Sequence, residues 1–399
     1  MQKDNSTDAR QSILPEKVSF WYDPGKRSIL YQVGVLVMIG LLGYYLYSNT
    51  VANLKKQSIA TGFGFLHKEA AFEIGESLIT YSATNTYARA LLVGILNTLQ
   101  VAVIGIVLTV ILGTFIGIAR LSTNWLVSRL ATVYIEVFQN IPILLQLFFW
   151  YAFFYEVLPP PRQALSPITG MFLSNRGLVF AVLERHPAYL YMAVAFLVGW
   201  LVIYILRRWA KKRQENTGRL FPVFRISVAI IVGFPLIAWW LGGAPTAMNI
   251  PRLAGFNFKG GLSLSPEFTA LLLGLVLYTA AFVAEIVRAG IQAVSHGQTE
   301  AAMSLGLKPG QVLSLVILPQ ALRVIIPPLT SQMLNLTKNS SLAVAIGYPD
   351  FVSVAGTTIN QTGQAIEGVA LIMMVYLCFS LVTSALMNWY NQKIALVER

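Results

Sequence analysis

Eight long apolar runs dominate this chain, and they restrict its fold more than any other feature. Each run has at least about 17 residues, which in a helix is close to the length that crosses the hydrocarbon core of a bilayer. A spanning segment must satisfy its backbone hydrogen bonds internally, so the runs are predicted to be helices. We therefore expect an all-α membrane protein with about eight transmembrane helices. The predicted spans are 31–47, 91–119, 134–157, 188–206, 222–241, 268–290, 312–336 and 368–389.

Composition agrees with this fold class. Hydrophobic residues make up 56% of the chain and charged residues 12%, about half the charged share of soluble domains. The single cysteine, Cys378, has no partner, so no disulfide is expected within the chain. A net charge of +12 is compatible with a nucleic-acid partner, but no basic-aromatic surface pattern accompanies it. We expect the bilayer, and no nucleic acid, as a partner.

The distribution of basic residues predicts the topology. Eight spans put both termini on the same side, and the basic stretch 207–213 favours the cytoplasm for that side. About 19 of the 29 Lys and Arg residues then lie inside, as the positive-inside rule expects. We therefore predict a multi-pass chain with both termini in the cytoplasm and a cytoplasmic tail at 1–30.

A short polar stretch between two spans is predicted to be a surface helix at about 296–308. Ser295 and Gln298 have the spacing of a capping box, Gly306 suits a left-handed C-terminal turn, and Pro309 stops the helix. Ala301 and Ala302 beside Leu305 form a face of small residues that suits close docking. The stretch therefore predicts a cytoplasmic attachment helix for another protein.

Polar groups within the spans have either structural or transport roles. Glu285 and Arg288 are three residues apart and are predicted to form a structural ion pair. Neutral groups in spans commonly bond between helices, whereas broken polar backbone at membrane depth is tolerated beside a water-filled path. The prolines at 319, 327 and 328 are expected to bend or break the seventh span. Candidate pathway residues are Asn97, Gln100, Gln146, Asn335, Lys338 and Ser340.

Catalytic motifs are missing from the sequence. It contains no G-x-x-x-x-G-K-[ST] loop, no H-E-x-x-H and no G-x-S-x-G, and its three histidines stand far apart. We expect no catalytic residue, no metal site and no enzyme in this chain. Energy for uphill transport must come from an ion gradient or from another subunit.

The stretch from 285 to 319 resembles the EAA loop of ABC-importer permeases, in particular those of the polar amino-acid uptake branch. It contains Glu285-x-x-Arg288-x-Gly290, Gly297-Gln298-x-Glu300-Ala301-Ala302-x-x-Leu305-Gly306 and Ile317-x-Pro319. Residues 94–99, 134–146 and 337–342 are similar to the same branch. Two departures stand out: Gln139-Asn140-Ile141-Pro142 replaces Arg-Gly-Thr-Pro, and Lys338-Asn339-Ser340-Ser341-Leu342 has one residue more than Lys-Thr-Ser-Leu.

The resemblance implies a five-helix permease core formed by 91–158 and 267–399. The extra first span within 31–90 and the two-span insertion at 159–266 look like those of the larger permease subunits of general L-amino-acid importers. A MetI-like transmembrane domain in the bacterial inner membrane is implied.

The same resemblance implies the partners. They are a cytoplasmic ABC ATPase dimer that binds ATP and Mg²⁺, a second permease chain and a periplasmic amino-acid-binding protein. No cofactor is expected on this chain. The ATPase-coupling residues would be Gln298, Glu300, Ala301, Ala302, Leu305, Gly306 and Leu307. The alternative, favoured by the polar seventh span, is a self-sufficient secondary transporter or channel for a small polar solute.

Overall fold

The computed structural model describes residues 24–56, 61–218 and 221–394. Within these ranges, seven helices are long and apolar enough to cross a membrane, or up to eight if one bent pair counts as a single span. The predicted fold class is confirmed. Residues 1–23, most of the predicted tail, lie outside the described residues. The helices are α1 (Pro24–Lys56), α2 (Tyr87–Arg120), α3 (Trp125–Asn140), α4 (Ile143–Ala152), α5 (Pro187–Thr217), α6 (Val223–Leu241), α7 (Pro266–Gln292), α8 (His296–Ser304), α9 (Pro309–Val312), α10 (Leu318–Asn339), α11 (Phe351–Thr362) and α12 (Ala365–Ile394).

Helix α7 lies at the centre of the core and packs against α2, α3, α4 and α10. Its contact with α2 is close because two glycines face it. A Cβ atom at Gly113 would lie 2.6 Å from Val283 Cβ, and one at Gly117 would lie 2.7 Å from the Ala284 carbonyl oxygen. The two backbones can therefore approach as small-residue interfaces allow between membrane helices.

The predicted span at 134–157 is sharply bent, because α3 and α4 meet at an angle of 102°. Pro142 has no N–H to donate, and Ile141 before it is extended, with φ −95° and ψ 127°. Gln146 stabilises the break, since its Nε2 donates to the carbonyl oxygens of Phe138 (3.0 Å) and Ile141 (2.9 Å). A π-helical turn, Phe153–Val157, then follows α4.

The seventh span differs from the prediction in where its irregular turn falls. Helix α10 continues through Pro327 and Pro328, so the predicted break there is absent. The irregular turn is instead π-helical, at Leu313–Ile317, directly before α10 and its Pro319. The span ends in a 3₁₀ turn, Ser340–Ile346.

The segment between α4 and α7 carries short antiparallel strands that the sequence did not predict. They are β1 (Met171–Ser174), β2 (Gly177–Phe180), β3 (Val182–Leu183), β4 (Met248–Asn249), β5 (Arg252–Ala254), β6 (Asn257–Lys259) and β7 (Leu262–Leu264). One sheet has the order β1-β2-β7, and the others pair β3 with β4 and β5 with β6. Helices α5 and α6 pack against each other as a hairpin between β3 and β4. Helix α1 is exposed along almost its whole length.

Candidate functional site

Helix α8 begins at Ser295, but the predicted capping box is absent. Ser295 Oγ makes no capping hydrogen bond, and the Gln298 N–H bonds to the Ser295 carbonyl oxygen instead. The Gln298 side chain faces α10, where Gln320 Nε2 donates to its Oε1 over 3.5 Å. Because Gln298 contacts the following span, it does not return to the start of its own helix.

The end of α8 matches the predicted turn. Gly306 has φ +78°, a left-handed conformation that glycine adopts without strain. The Gly306 N–H donates to the Met303 carbonyl oxygen (2.9 Å), and the Leu307 N–H donates to that of Ala302 (3.3 Å). The chain then turns into α9 at Pro309. The turn at Gly306 therefore sets the angle between α8 and the span that follows it.

The outward face of α8 is apolar at its C-terminal end. Leu305 is 82% exposed and Met303 is 51% exposed. Of the two predicted docking alanines, Ala301 is exposed, whereas Ala302 is only 4% exposed and therefore faces its own chain. Exposed apolar side chains at the end of a polar helix are typical of an interaction surface.

The polar end of this face carries a contact between a histidine and a glutamate. Glu300 Oε1 lies 3.0 Å from His296 Nδ1, one helical turn away. Both side chains are well exposed, so the pair contributes little to stability. Glu300 therefore remains accessible to a basic group on another protein.

Behind α8, charged side chains join α2 to α7. Glu285 forms the ion pair with Arg288 that the spacing predicts, and it also pairs with Arg120 at the end of α2. Arg288 in turn donates to Gln292 Oε1 in the last turn of α7. Arg120 was not predicted as a partner, because it lies 165 residues from Glu285 in the sequence. The network links α2 to the end of α7, from which α8 projects.

The six candidate pathway residues have different environments. Asn97 is buried, and its Nδ2 donates to the carbonyl oxygens of Glu76 and Pro349, both at 2.9 Å. Gln146 holds the α3–α4 break, and buried Ser340 donates to the Thr337 carbonyl oxygen over 2.7 Å. These three bond inside the chain. Gln100 is half-buried on α2.

Asn335 and Lys338 are different because they are exposed on α10. With Ser331 they follow one another at spacings of four and three residues, which places all three on one helical face. Polar and charged side chains are costly against lipid, so such a face normally contacts protein or a water-filled cavity. We call Ser331, Asn335 and Lys338 the α10 polar stripe.

A polar cavity near the N-terminus of α7 was not predicted. It has a volume of about 440 Å³, and its walls include Glu76, Ser265, Glu267 and Ser353. A second cavity of about 430 Å³ shares Ser265 and Glu267 with it. Burial raises the pKa of the Glu76 carboxyl above its ordinary value. No local sequence pattern indicates this cavity, because its walls come from segments far apart in the chain.

Asp350 lies at the N-terminus of α11 with its side chain fully buried. Its carboxylate accepts hydrogen bonds from the Val352 and Ser353 N–H groups, the pattern of a helix N-cap. Burial raises the pKa of this carboxyl to about 6. In the part of the chain that the structure describes, no three His, Cys, Asp or Glu side chains are grouped as metal ligands.

Comparisons with known proteins show the family of this chain. Residues 105–396 match the family model described as binding-protein-dependent transport system inner membrane component. The chain is 52% identical to the general L-amino acid transport system permease protein AapQ of Rhizobium johnstonii, over 96% of this chain and 95% of that protein. It is 51% identical to the putative amino-acid ABC transporter permease protein YhdX of Escherichia coli, over 98% and 99%. A crystal structure of an amino acid ABC transporter with histidines covers 77% of this chain and 95% of its own, with 21% identity and a TM-score of 0.45. The chain therefore belongs to the inner membrane components of binding-protein-dependent transport systems and, among them, to the amino-acid ABC transporter permeases.

Proposed function

We propose that this chain is the transmembrane permease subunit of an ATP-driven importer that takes up amino acids delivered by a periplasmic binding protein. Hydrolysis of ATP, with Mg²⁺, takes place on a separate cytoplasmic ATPase dimer. Helix α8 is the coupling helix, and a second permease chain, homologous or identical, completes the pathway. The chain lies in the bacterial inner membrane with both termini in the cytoplasm.

The observation that carries this proposal is the exposure of α8 between two spans. Leu305 and Met303 present apolar surface to the outside, while Ala302 holds the helix against its own chain. The Arg120–Glu285–Arg288 network joins the neighbouring spans, so a force on α8 is transmitted to α2 and α7 together. A rigid attachment of this kind is what a permease without an ATP site requires.

Amino acids are the proposed substrates because the names of the matched relatives describe them as amino-acid transport permeases. The α10 polar stripe supports a pathway beside α10 that is shared with the second permease chain. An ammonium group such as that of Lys338 can attract the side-chain carboxylate of an acidic amino acid.

Reconstitution tests the proposal directly. Proteoliposomes that contain the permease, the ATPase and the binding protein should accumulate labelled amino acid only when ATP is supplied on the ATPase side. Permease alone should show no uptake under a proton or sodium gradient. Gradient-driven uptake by this chain alone would instead establish the alternative, a secondary transporter favoured by the exposed α10 polar stripe.

The change Lys338→Ala should lower the uptake of acidic relative to neutral amino acids by about five- to tenfold, since it removes one charge-assisted contact to a carboxylate. Competition of labelled substrate with a panel of amino acids measures this ratio. Lys338→Arg keeps the positive charge and should retain most of the preference for acidic amino acids. The matched control is Lys259→Ala, an exposed lysine in β6. If Lys338→Ala left the substrate competition profile unchanged, the α10 polar stripe would have a structural role only.

A further inference from the structure

The hairpin of α5 and α6 ends in a basic region at the membrane surface. The apolar part of α5 runs from Pro187 to Leu206, about 20 residues, and covers about 30 Å of bilayer at 1.5 Å per residue. Arg207 then falls at the interface between hydrocarbon and water. Helix α6, which begins at Val223, starts at the same level beside it.

A cavity of about 180 Å³ lies between the two helices at this level. On α5, Trp200, Ile203 and Arg207 share one face, at spacings of three and four residues. The facing wall on α6 includes Phe224 and Ser227. The cavity is therefore apolar inside, with one guanidinium among the residues that line it.

Ser227 lies in the wall of this cavity and has a buried, unpartnered hydroxyl. Only 8% of the residue is exposed, and its Oγ has no hydrogen-bond partner among the residues that the structure describes. A buried hydroxyl without a partner costs free energy. A ligand that enters the apolar cavity and carries a hydrogen-bond acceptor would satisfy it.

Further cations follow Arg207 in the last turns of α5, and one more lies in the first turn of α6. None of them forms an ion pair with a carboxylate in the described part of the chain, although Glu215 lies in the same stretch of α5. Two of them stack on aromatic rings: Arg208 lies 4.6 Å from the Tyr204 ring centre and Arg213 lies 5.2 Å from that of Trp209. The cations are Arg207, Arg208, Lys211, Lys212, Arg213 and Arg225.

We propose that this place binds one anionic phospholipid of the leaflet that meets the end of α5. The lipid phosphate lies at Arg207 and its neighbours, an acyl chain fills the cavity against Trp200 and Ile203, and a glycerol ester oxygen accepts from Ser227 Oγ. Basic pockets between transmembrane helices bind anionic headgroups in this way. Free phosphate would leave the apolar cavity empty, and a zwitterionic lipid would leave the positive charge uncompensated.

Native mass spectrometry of the full-length chain in detergent tests the site. The probe is an equal mixture of phosphatidylglycerol and phosphatidylcholine with identical acyl chains. We expect the chain to retain one phosphatidylglycerol in strong preference to phosphatidylcholine. The change Arg207→Gln should weaken that binding about fivefold, as expected for one basic residue at a membrane surface.

Matched variants separate this site from general surface charge. Arg129→Gln removes an exposed arginine of α3 and should bind phosphatidylglycerol like the unmodified chain. Ser227→Leu fills the cavity and should reduce lipid retention with every cation in place, and thermal unfolding of each variant checks its fold. Equal retention of the two lipids, equal losses in Arg129→Gln and Arg207→Gln, or displacement of the lipid by inorganic phosphate would each overturn the proposal.

Discussion

Leu305→Asp is expected to lower ATP-driven uptake by at least about tenfold while the chain remains inserted and folded. The physical reason is that Leu305 is the most exposed large apolar side chain at the end of α8, and an apolar anchor that becomes buried at an interface commonly contributes this much to binding. A carboxylate there would be desolvated by the docked ATPase. Because Leu305 makes little contact with its own chain, the fold should be unaffected.

Two further changes in α8 should have the same effect for different reasons. Glu300→Arg reverses the charge next to the docking surface and removes the contact with His296. Gly306→Pro imposes φ near −65° where the chain needs φ +78°, so α8 would leave the spans in another direction. In both variants, ATP hydrolysis by the ATPase should continue while amino-acid uptake is lost.

Co-purification of the ATPase with each variant measures the docking, and uptake into proteoliposomes measures the coupling. Leu305→Met keeps an apolar side chain of similar volume and is the matched control, expected to behave like the unmodified chain. Recovery of the ATPase at unmodified strength with both Leu305→Asp and Glu300→Arg would remove α8 from the proposed interface.

Gly117→Ala is expected to destabilise the folded chain by about 1–3 kcal/mol, the usual cost of adding a methyl group to a tightly packed contact. Its Cβ would lie 2.7 Å from the Ala284 carbonyl oxygen, and a backbone atom cannot rotate away as a side chain can. Helices α2 and α7 must therefore separate.

Thermal unfolding of the purified chain in detergent measures this loss. Gly34→Ala is the control, since a Cβ on this glycine of α1 meets no atom within 4 Å. Its midpoint should stay close to that of the unmodified chain. If Gly117→Ala and Gly34→Ala had the same unfolding midpoint, the close α2–α7 contact would not contribute to stability.

Hydropathy predicted the spans well because each run is long enough to require a helix whatever it packs against. It failed where a single contact decides the local structure. From the sequence alone, Pro142 could either end a helix or kink one. In the structure the chain breaks sharply there, and Gln146 donates hydrogen bonds to the Phe138 and Ile141 carbonyl oxygens exposed by the break. In α10, Pro327 and Pro328 lie exposed within a continuous helix.

The site was predicted in part. The position of α8 and the turn at Gly306 follow from local chemistry, so the sequence was sufficient for them. The inward direction of Ala302 and the contact between Arg120 and Glu285 depend on how distant helices pack, which no local pattern contains. Asn97 and Ser340 were candidate pathway residues because they are polar, yet their bonds to backbone carbonyls are a common use of such groups in membrane helices.

The pairing of β3 with β4 has a consequence for how a chain of this size arises from a smaller one. The Glu184 N–H donates to the Ala247 carbonyl oxygen over 2.9 Å, so the two ends of the α5–α6 hairpin are adjacent. A segment whose ends already meet can be added to, or removed from, a loop without moving the rest of the fold. We therefore expect that the α5–α6 hairpin can be removed or replaced as a unit while the packing around α7 is kept.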